Sequence, residues 1–395
     1  MFVPFIMTGK TLDAVFLSIF DWWYHSHGHS DFQVSKVFAR QSRVLFVNSV
    51  GMRAPRPGVA TSSWQRIARK LKSMSRPRQR PVDDLDLTVM TAAFAPFYAG
   101  VLARANEWGV AQQIRHAMRQ QGMGGQGRGR PVVVVTAPTF ARIAFALDPA
   151  GVIYYRSDRH SAFTGADSAI IRGYEELLFE RADAVLYTNY ALFEEEAPRL
   201  KGKAVYLGHG VDLDHFSPDG PLAEEVAALP GPRVGFFGDL RERTIDFDLV
   251  AKVAALLPEV QFVLGGTQLD DLSQLAGMAN VHLLPACDHE DMPPRWRALD
   301  AVMLPYKRTA WAMACEPIKL NEVLATGLPA IGTRLPAFER RAGLVTIADD
   351  AEQFAAAIAA SLALGRPDAA AVAAIRAGLP SWAAMAETIS ALVKV

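Results

Sequence analysis

The sequence has few cysteines, no excess of either charge and no long hydrophobic run. Its 395 residues include only Cys287 and Cys315, which excludes a disulfide framework and a four-cysteine zinc site and favours a reducing compartment. The 41 basic and 41 acidic residues cancel, so net charge indicates no particular partner. No segment approaches the roughly 20 apolar residues of a membrane helix. The apolar start is short and Lys10 follows it, which is atypical of an export signal. We therefore expect a cytoplasmic protein with at most peripheral membrane contact.

Short apolar runs alternate with helical patterns along most of the chain, which is typical of βαβ units and a mainly parallel sheet. Predicted strands of the first series cover residues 14–19, 44–47, 85–90, 132–136, 152–155, 184–187 and 204–207. Predicted strands of the second series cover residues 234–237, 261–264, 281–284, 301–304, 330–333 and 344–347. The fold class is therefore α/β, with two Rossmann-like, doubly wound domains.

A cluster of proline and glycine separates the two series. We predict a first domain over residues 1–215, a linker over 216–232, a second domain over 233–380 and a C-terminal helix over 381–395. Whether that helix returns to the first domain stays open. Ligands of such sheets bind at the carboxyl ends of the strands, so we expect the active site in a cleft between the two domains.

The most informative segment runs from Glu316 to Thr333. It predicts a polar loop, a helix with Lys319 and Glu322 near its start, a glycine stop at Gly327 and a strand. A helix N-terminus and a lysine suit phosphate, and a glutamate accepts hydrogen bonds from a ribose diol in dinucleotide folds. An amphipathic helix with solvent-facing charges would have the same spacing, so both interpretations stay open.

Five motifs resemble those of GT-B-fold glycosyltransferases. Residues 319–333 resemble the K-L-x-E-x-x-A-x-G-x-P-x-x-x-T stretch of the nucleotide-binding domain. The other four occur in the expected order and are Tyr155-Arg156-Ser157-Asp158, residues 180–185 (ERADAV), residues 208–212 (GHGVD) and residues 235–240 (GFFGDL). The chain is similar to the family 1 and family 4-like group, and its residues 155–158 are similar to the xanthan-type glucuronosyltransferase. The resemblance implies the GT-B fold.

The resemblance also implies which residues bind a nucleotide-sugar donor, of which a UDP-sugar is the commonest. Lys319 would contact the diphosphate and Glu322 would hold the ribose. The further residues implied to approach the donor follow predicted strands of the second domain and are Gly238, Asp239, Arg241, Arg243 and Cys287. The cations among them could stabilise the departing diphosphate without a metal ion, so neither a metal nor another cofactor is expected.

Asp158 is the candidate general base. The resemblance gives it this role, and its position just after a predicted strand supports it independently. A positioned carboxylate that accepts the proton of an attacking hydroxyl contributes roughly 10²–10⁴-fold to the rate. The structural alternative is a turn cap or an ion pair with Arg156 or Arg159, and His160 competes for the catalytic role.

One departure from the family concerns stereochemistry. Retaining members carry a second glutamate eight residues before Glu322, where this chain has Ala314. Glu316 lies only six residues before Glu322, so a bulge would be needed to align it. This departure favours inversion with Asp158 as the base.

The stretch from Asp21 to Asp31 follows the first predicted strand and is rich in aromatic residues and histidines. His25, His27 and His29 alternate, but no further ligand cluster accompanies them, so no metal site is expected. Aromatic faces pack on sugar rings and imidazoles donate hydrogen bonds. We therefore predict an acceptor-binding loop with Asp21, His25 and His27, and either histidine is the reserve base.

The stretch from Arg53 to Arg80 contains nine basic residues and no acidic one. Trp64, Ile67 and Leu71 fall on one helical face within it. Such a stretch predicts contact with an anionic membrane surface, with a solvated loop and nucleic acid as alternatives. Residues 122–130 are rich in glycine and arginine, and we interpret them as a flexible loop, with no nucleic-acid partner expected.

These observations together predict a glycosyltransferase. It would move a sugar from a nucleotide-diphosphate sugar to a hydroxyl of a sugar acceptor, with a lipid-linked acceptor of surface polysaccharide biosynthesis favoured. One alternative is a nucleotide-sugar epimerase of the same fold, against which the predicted acceptor loop argues. The other is a non-catalytic protein that binds sugar nucleotides or scaffolds a membrane assembly.

Overall fold

The computed structural model describes residues 12–51, 72–76, 78–95, 100–125, 129–163 and 167–393. These residues form two compact units. The first unit contains the described residues up to Gly208 together with those from Trp382 onward, and the second unit runs from His209 to Ser381.

The first unit is built on an eight-stranded sheet. Its strands are β1 (Ala14–Leu17), β2 (Val44–Val47), β3 (Arg78–Gln79), β4 (Leu87–Met90), β5 (Val132–Val135), β6 (Gly151–Arg156), β7 (Ala184–Tyr187) and β8 (Ala204–Tyr206). Their order is β3-β4-β2-β1-β5-β6-β7-β8, and every pairing is parallel except that of β3 with β4. The four consecutive valines of β5 are fully buried, because a parallel strand is covered on both faces and favours β-branched residues.

Helices cover this sheet. They span Ser30–Ala39, Gly100–Gln120, Ala141–Ala146, Ser168–Arg181, Tyr190–Glu196 and Trp382–Leu392, with 3₁₀ turns at Pro138–Phe140, His160–Ala162 and Ala197–Leu200. The last helix packs against helix Ser30–Ala39. The C-terminal helix therefore returns to the first unit, the option that the sequence left open.

The second unit is built on a six-stranded, wholly parallel sheet. Its strands are β9 (Arg233–Phe237), β10 (Gln261–Gly266), β11 (Val281–Pro285), β12 (Ala301–Leu304), β13 (Ala330–Thr333) and β14 (Val345–Ala348), in the order β11-β10-β9-β12-β13-β14. Its helices are Glu224–Ala227, Phe247–Leu256, Ser273–Ala276, Met292–Arg297, Ala310–Ala314, Lys319–Ala325, Pro336–Glu339, Ala351–Leu364 and Ala369–Ala377, with a 3₁₀ turn at His289–Asp291.

The boundary between the units differs from the predicted one. Residues 209–215, predicted as part of the first domain, belong to the second unit, where Val211 pairs with Ser381. The predicted linker over 216–232 is also part of that unit. The guanidinium of Arg297 donates to the carbonyls of Ser217 and Pro221 (3.1 and 2.9 Å), and the amide of Ala223 donates to the carbonyl of Pro294. Proline and glycine mark irregular backbone, and here that backbone is packed rather than free.

Each sheet has one topological switch point, where successive connections change direction. It lies between β1 and β5 in the first unit and between β9 and β12 in the second. Because ligands of such sheets bind at the carboxyl ends of the strands beside the switch point, these two places are where functional side chains are expected. In the described part of the chain, no helix has both the length and the apolar character needed to cross a membrane.

Candidate functional site

Lys319 lies at the switch point of the second sheet. Its ammonium is 3.3 Å from the hydroxyl of Tyr306, which follows β12, and 4.9 Å from the ring centre of Phe236 in β9. A Cβ atom placed on Gly238, which follows β9, would lie 2.5 Å from the Lys319 ammonium. The lysine nitrogen therefore rests directly on the backbone between the two strands, and any side chain at position 238 would displace it.

The backbone around Gly238 is itself closely packed. The amide of Gly238 donates to the carbonyl of Gly265 at 2.9 Å. Gly266 has φ of +147°, and a Cβ atom there would lie 1.7 Å from the carbonyl oxygen of Gly238. Only glycine fits position 266, because a side chain cannot share the space of a backbone carbonyl. These contacts fix the turn that follows β9.

No carboxylate among the described residues forms an ion pair with the Lys319 ammonium. Burial by itself would lower the pKa of Lys319, but the Tyr306 oxygen and the Glu322 carboxylate outweigh it and hold the pKa above its usual range. Burial also raises the pKa of the Tyr306 hydroxyl. Within the described residues, the hydrogen bond to Tyr306 is the one polar contact that the ammonium makes. The positive charge is therefore available to an anionic ligand.

Glu322 lies one helical turn after Lys319 and is held by a histidine. It is only 8% exposed, and its Oε1 is 3.1 Å from Nε2 of His289. His289 in turn stacks on His215 at 5.3 Å between ring centres, and Nε2 of His215 lies 3.1 Å from the His289 carbonyl oxygen. These two histidines were not predicted as site residues, because they join the site through contacts distant in sequence.

The GHGVD motif is tied to the same helix. The side-chain amide of Asn321 donates to the carbonyl of His209 at 2.5 Å. Arg376 donates to the carbonyls of Leu213, Phe216 and Ala325 at 2.8, 3.1 and 2.7 Å. Residues 209–216 and helix Lys319–Ala325 are thus held together within the second unit.

The other predicted donor residues lie around the same sheet edge without touching Lys319. Asp239 and Arg243 are exposed and Arg241 is half-buried. The two arginines line one surface depression together with Glu242, Leu269, Asp270 and Lys307. Cys287 follows the outer strand β11 and is half-buried, which raises the pKa of its thiol. Glu316, the residue six positions before Glu322, forms an ion pair with Arg340.

Asp158 follows β6 at the carboxyl edge of the first sheet. It is half-buried, and its carbonyl accepts from the amide of His160 at 3.0 Å. Burial raises the pKa of its carboxyl, while His160 and Arg156 pull that pKa the other way. Among the described residues, Asp158 forms no ion pair with either predicted arginine. Arg156 pairs with Glu175 and Glu196, and Arg159 pairs with Glu195.

A buried polar network anchors the strand before Asp158. The Arg156 guanidinium is enclosed and binds Glu196 at 2.9 Å, the Glu175 carboxylate and the hydroxyl of Tyr154 at 3.1 Å. His160 is fully buried beside this network, with Nδ1 3.7 Å from Glu175 Oε1. His160 is therefore enclosed by protein, which disfavours it as the competing base.

The predicted acceptor residues occupy one loop after β1. The Asp21 carboxylate is buried and accepts from the Ser73 hydroxyl (2.8 Å) and the Trp23 amide (3.1 Å), so it shapes the loop. His25 is exposed, and its Nδ1 lies 2.9 Å from the Asp21 amide nitrogen. His27 packs on Trp22, with Nε2 3.1 Å from the Trp22 carbonyl oxygen. Of the three, His25 is the most accessible.

Sequence inspection missed a cluster at the switch point of the first sheet. Asp31 is buried, and its Oδ2 accepts from the hydroxyls of Ser18 (2.7 Å) and Thr136 (2.6 Å), which follow β1 and β5. Burial raises the pKa of this carboxyl. The sequence feature that could have indicated this cluster is a serine and a threonine directly after two neighbouring strands.

Two further predictions concern metals and the basic stretch. No three histidine, cysteine, aspartate or glutamate side chains converge as metal ligands among the residues that the structure describes. Most of the stretch from Arg53 to Arg80, including Trp64, Ile67 and Leu71, lies outside the described residues. At its end, β3 forms the sheet edge and Arg80 pairs with Asp86 at 3.4 Å.

The chain is similar in sequence and in fold to one class of known proteins. Residues 231–363, which lie in the second unit, match the family described as Glycosyl transferases group 1. Solved structures that align along nearly the whole chain are glycosyltransferases with the GT-B fold. The predicted family resemblance and the predicted fold class are thereby confirmed, whereas the xanthan-type resemblance stays a prediction.

Three solved structures align along nearly the whole chain. A glycosyltransferase from Rickettsia africae aligns with a TM-score of 0.64 at 12% identity, covering 98% of this chain and 100% of that one. Sucrose-phosphate synthase from Thermosynechococcus elongatus has a TM-score of 0.58 at 14% identity and coverages of 97% and 95%. HepE from Anabaena, in complex with UDP-glucose, has a TM-score of 0.58 at 13% identity and coverages of 96% and 97%.

A curated relative is similar in sequence. TuaH of Bacillus subtilis, named as a teichuronic acid biosynthesis glycosyltransferase, is 26% identical over 176 residues. The alignment covers 42% of this chain and 44% of the relative. It therefore spans less than half of that protein's length.

Proposed function

We propose that the protein is a glycosyltransferase whose second unit binds a nucleoside-diphosphate sugar. The observation that carries this proposal is the position of Lys319 at the β9/β12 switch point, against the backbone of Gly238. Its ammonium forms no ion pair with a carboxylate of the described residues. A diphosphate is the ligand that such a cation suits, and Glu322 one turn later suits a ribose diol. The Glycosyl transferases group 1 domain over residues 231–363 supports the same assignment.

The donor is a UDP-sugar in this proposal. Support comes from HepE, which shares the fold and was solved with UDP-glucose. The diphosphate lies against Lys319, with Arg241 or Arg243 as a second cation, and the backbone near Cys287 meets the base. Because Lys319 is held in position by Tyr306 and Phe236, it stabilises the charge that develops on the departing diphosphate without reorganising.

Asp158 is the general base of the proposed reaction. The acceptor hydroxyl attacks the anomeric carbon, its proton passes to the Asp158 carboxylate, and the bond to the diphosphate breaks. The absence of an ion-pair partner among the described residues leaves the carboxylate free to accept that proton. With Ala314 in place of the second glutamate of retaining members, we propose inversion.

The acceptor is a sugar hydroxyl, and the loop with Asp21, His25 and His27 binds it. A lipid-linked acceptor in surface polysaccharide biosynthesis is the finer proposal. It is supported by the similarity to TuaH, which is named for teichuronic acid biosynthesis. Contact with the cytoplasmic face of an anionic membrane through Arg53 to Arg80 would bring the enzyme to such an acceptor.

The proposal is tested by following release of nucleoside diphosphate from a panel of nucleotide sugars, with and without candidate acceptors. Wild-type protein should release diphosphate and form a glycoside. Asp158→Asn should lose about 10²–10⁴-fold in rate while calorimetry shows unchanged nucleotide affinity. Full activity in that variant would contradict the base assignment. Interconversion of the donor sugar without transfer would instead favour the epimerase.

A further inference from the structure

Helix Gly100–Gln120 presents two different faces. The face toward the rest of the first unit is buried and consists of Ala103, Glu107, Val110, Ala111, Ile114, Ala117 and Met118. The opposite face follows the helical spacing of three and four residues and consists of Val101, Ala105, Trp108, Gln112, Arg115 and Arg119. We call this second set, with Leu102 and Arg104 beside it, the outer face.

The N-terminal half of the outer face exposes large apolar side chains. Val101 is 82% exposed, Leu102 62% and Trp108 67%. Few large hydrophobic side chains are exposed among the described residues, and these three lie within two turns of one helix. Single exposed apolar residues are ordinary, but a contiguous group of them marks an interaction surface.

The outer face also carries positive charges, and no acidic side chain lies on it. Arg104, Arg115 and Arg119 lie on or beside it. Glu107 is the one acidic residue of the helix, and it is buried, where it accepts from the Tyr174 hydroxyl at 2.5 Å and lies 3.5 Å from Arg142. The outer face therefore combines apolar and positive groups, and an anionic partner with an apolar layer complements both.

We propose that the outer face docks on an anionic lipid surface. Val101, Leu102 and Trp108 would enter the boundary between headgroups and acyl chains, where tryptophan is favoured. Arg104 and Arg119 would lie among the lipid phosphates, whereas the Arg115 guanidinium donates to the carbonyl of Ala146. At about 1.5 Å per residue the helix is about 30 Å long. In this proposal it lies along the lipid surface, as interfacial helices do. A nucleic acid would complement the arginines but leave the two aliphatic side chains without a role.

The outer face and the basic stretch between Arg53 and Arg80 are separate segments of the sequence. No residue of the helix belongs to the donor site or to the surroundings of Asp158, so the inference does not depend on the proposed transferase reaction. Transfer to a water-soluble acceptor should be the same in outer-face variants and wild type. Loss of lipid binding and loss of catalysis are therefore separable.

The test is co-sedimentation of the full chain with vesicles of phosphatidylcholine alone or mixed with phosphatidylglycerol. An apolar variant carries Val101→Ser, Leu102→Ser and Trp108→Ser, and its matched control is Leu364→Ser, a leucine that is 86% exposed in the second unit. A charge variant carries Arg104→Gln and Arg119→Gln, and its matched control is Arg172→Gln, an exposed arginine on helix Ser168–Arg181.

Wild type should bind the anionic vesicles and not the neutral ones. The apolar variant should lose about tenfold or more in partition coefficient, and the charge variant about fivefold or more, with both controls unchanged. Added salt should reduce the difference in partition coefficient between wild type and the charge variant, because screening weakens the contribution of the arginines that only wild type carries. Melting by circular dichroism checks that each variant is folded.

Three results would overturn the inference. The first is wild-type protein that does not bind anionic vesicles. The second is binding that the two outer-face variants retain in full and that neutralising Arg66 to Arg80 abolishes. The third is a concentration-dependent dimer, detected by sedimentation velocity, that the apolar variant dissociates, since the occupant would then be a second copy. If the apolar variant does not fold, quenching of Trp108 fluorescence by brominated lipid, with Trp108→Phe as the reference, decides the same question.

Discussion

At the scale of single residues, the site depends on how a few charges are held. Lys319 is kept cationic by Tyr306 and Glu322, and Glu322 is oriented by His289. The family resemblance predicted Lys319, Glu322 and Gly238 as donor residues, because a motif contains each of them. It did not identify His289 or Tyr306, because a supporting contact leaves no pattern in neighbouring residues.

His289 is predicted to position Glu322 for the ribose. His289→Phe keeps a ring that can stack on His215 but removes the hydrogen bond to the carboxylate. We expect UDP affinity to fall by about threefold to tenfold, which corresponds to one ordinary hydrogen bond of about 0.5–1.5 kcal/mol, because His289 acts on the ribose only through Glu322. The penalty for replacing UDP by its 2′-deoxy form should shrink as well. Calorimetric titration of both ligands is the measurement, and unchanged discrimination would contradict the positioning role.

The raised pKa of Asp158 predicts the pH dependence of transfer. The carboxylate must be deprotonated to accept a proton, so activity should fall as the pH drops through its pKa. Because burial raises that pKa, the acid limb of kcat/KM should have its midpoint above 3.8, the value of an unperturbed aspartate. Asp158→Asn should remove this limb together with most of the activity. A limb that persists in the residual activity would assign it to another group.

At the scale of elements, tight turns place the donor site. The turn after β9 is fixed because Gly266 leaves room for the Gly238 carbonyl, and helix Lys319–Ala325 is fixed to residues 209–216 by Asn321 and Arg376. Every predicted strand exists in the structure, because buried β-branched runs are a strong local signal. The two-residue strand β3 was missed, since Arg78 and Gln79 are exposed and carry no apolar pattern.

Gly266→Ala should be strongly destabilising. Its Cβ would meet the Gly238 carbonyl, so the turn must move, and overpacking of this kind costs about 1–3 kcal/mol or more. Gly277→Ala is the matched control, because Gly277 has a right-handed helical conformation and the nearest atom to its Cβ is 3.9 Å away. The control should be neutral or more stable by about 0.4–1 kcal/mol. Chemical denaturation measures both, and equal stabilities would refute the steric argument.

At the scale of the whole molecule, the sequence predicted two Rossmann-like domains and the glycosyltransferase resemblance, and both are confirmed. It misplaced the division between them. Proline and glycine in residues 216–232 indicate irregular backbone, but pattern alone does not tell whether such backbone is packed. The contacts that hold this segment come from Pro294, Arg297 and Arg376, which lie far along the chain. The predicted cleft between the domains stays a prediction.

The packed state of residues 216–232 has a measurable consequence. Glu224 and Glu225 lie in a short helix there, and Glu225 pairs with Arg295 at 2.9 Å. A glutamate-specific protease should therefore cut at these residues only as fast as the second unit opens, whereas a free linker would be cut at once. Denaturant at sub-unfolding concentration should accelerate the cut. Rapid cleavage at these glutamates in native buffer would restore the linker interpretation.

The proposed donor site depends on Lys319 binding the diphosphate of a nucleotide at the β9/β12 switch point. This role is tested by isothermal titration of UDP and uridine into wild type and Lys319→Ala. We expect the substitution to weaken UDP binding by about tenfold or more, as is typical of a charged hydrogen bond, and to leave uridine binding unchanged. Equal losses for the two ligands, or UDP affinity that is the same in both proteins, would contradict it.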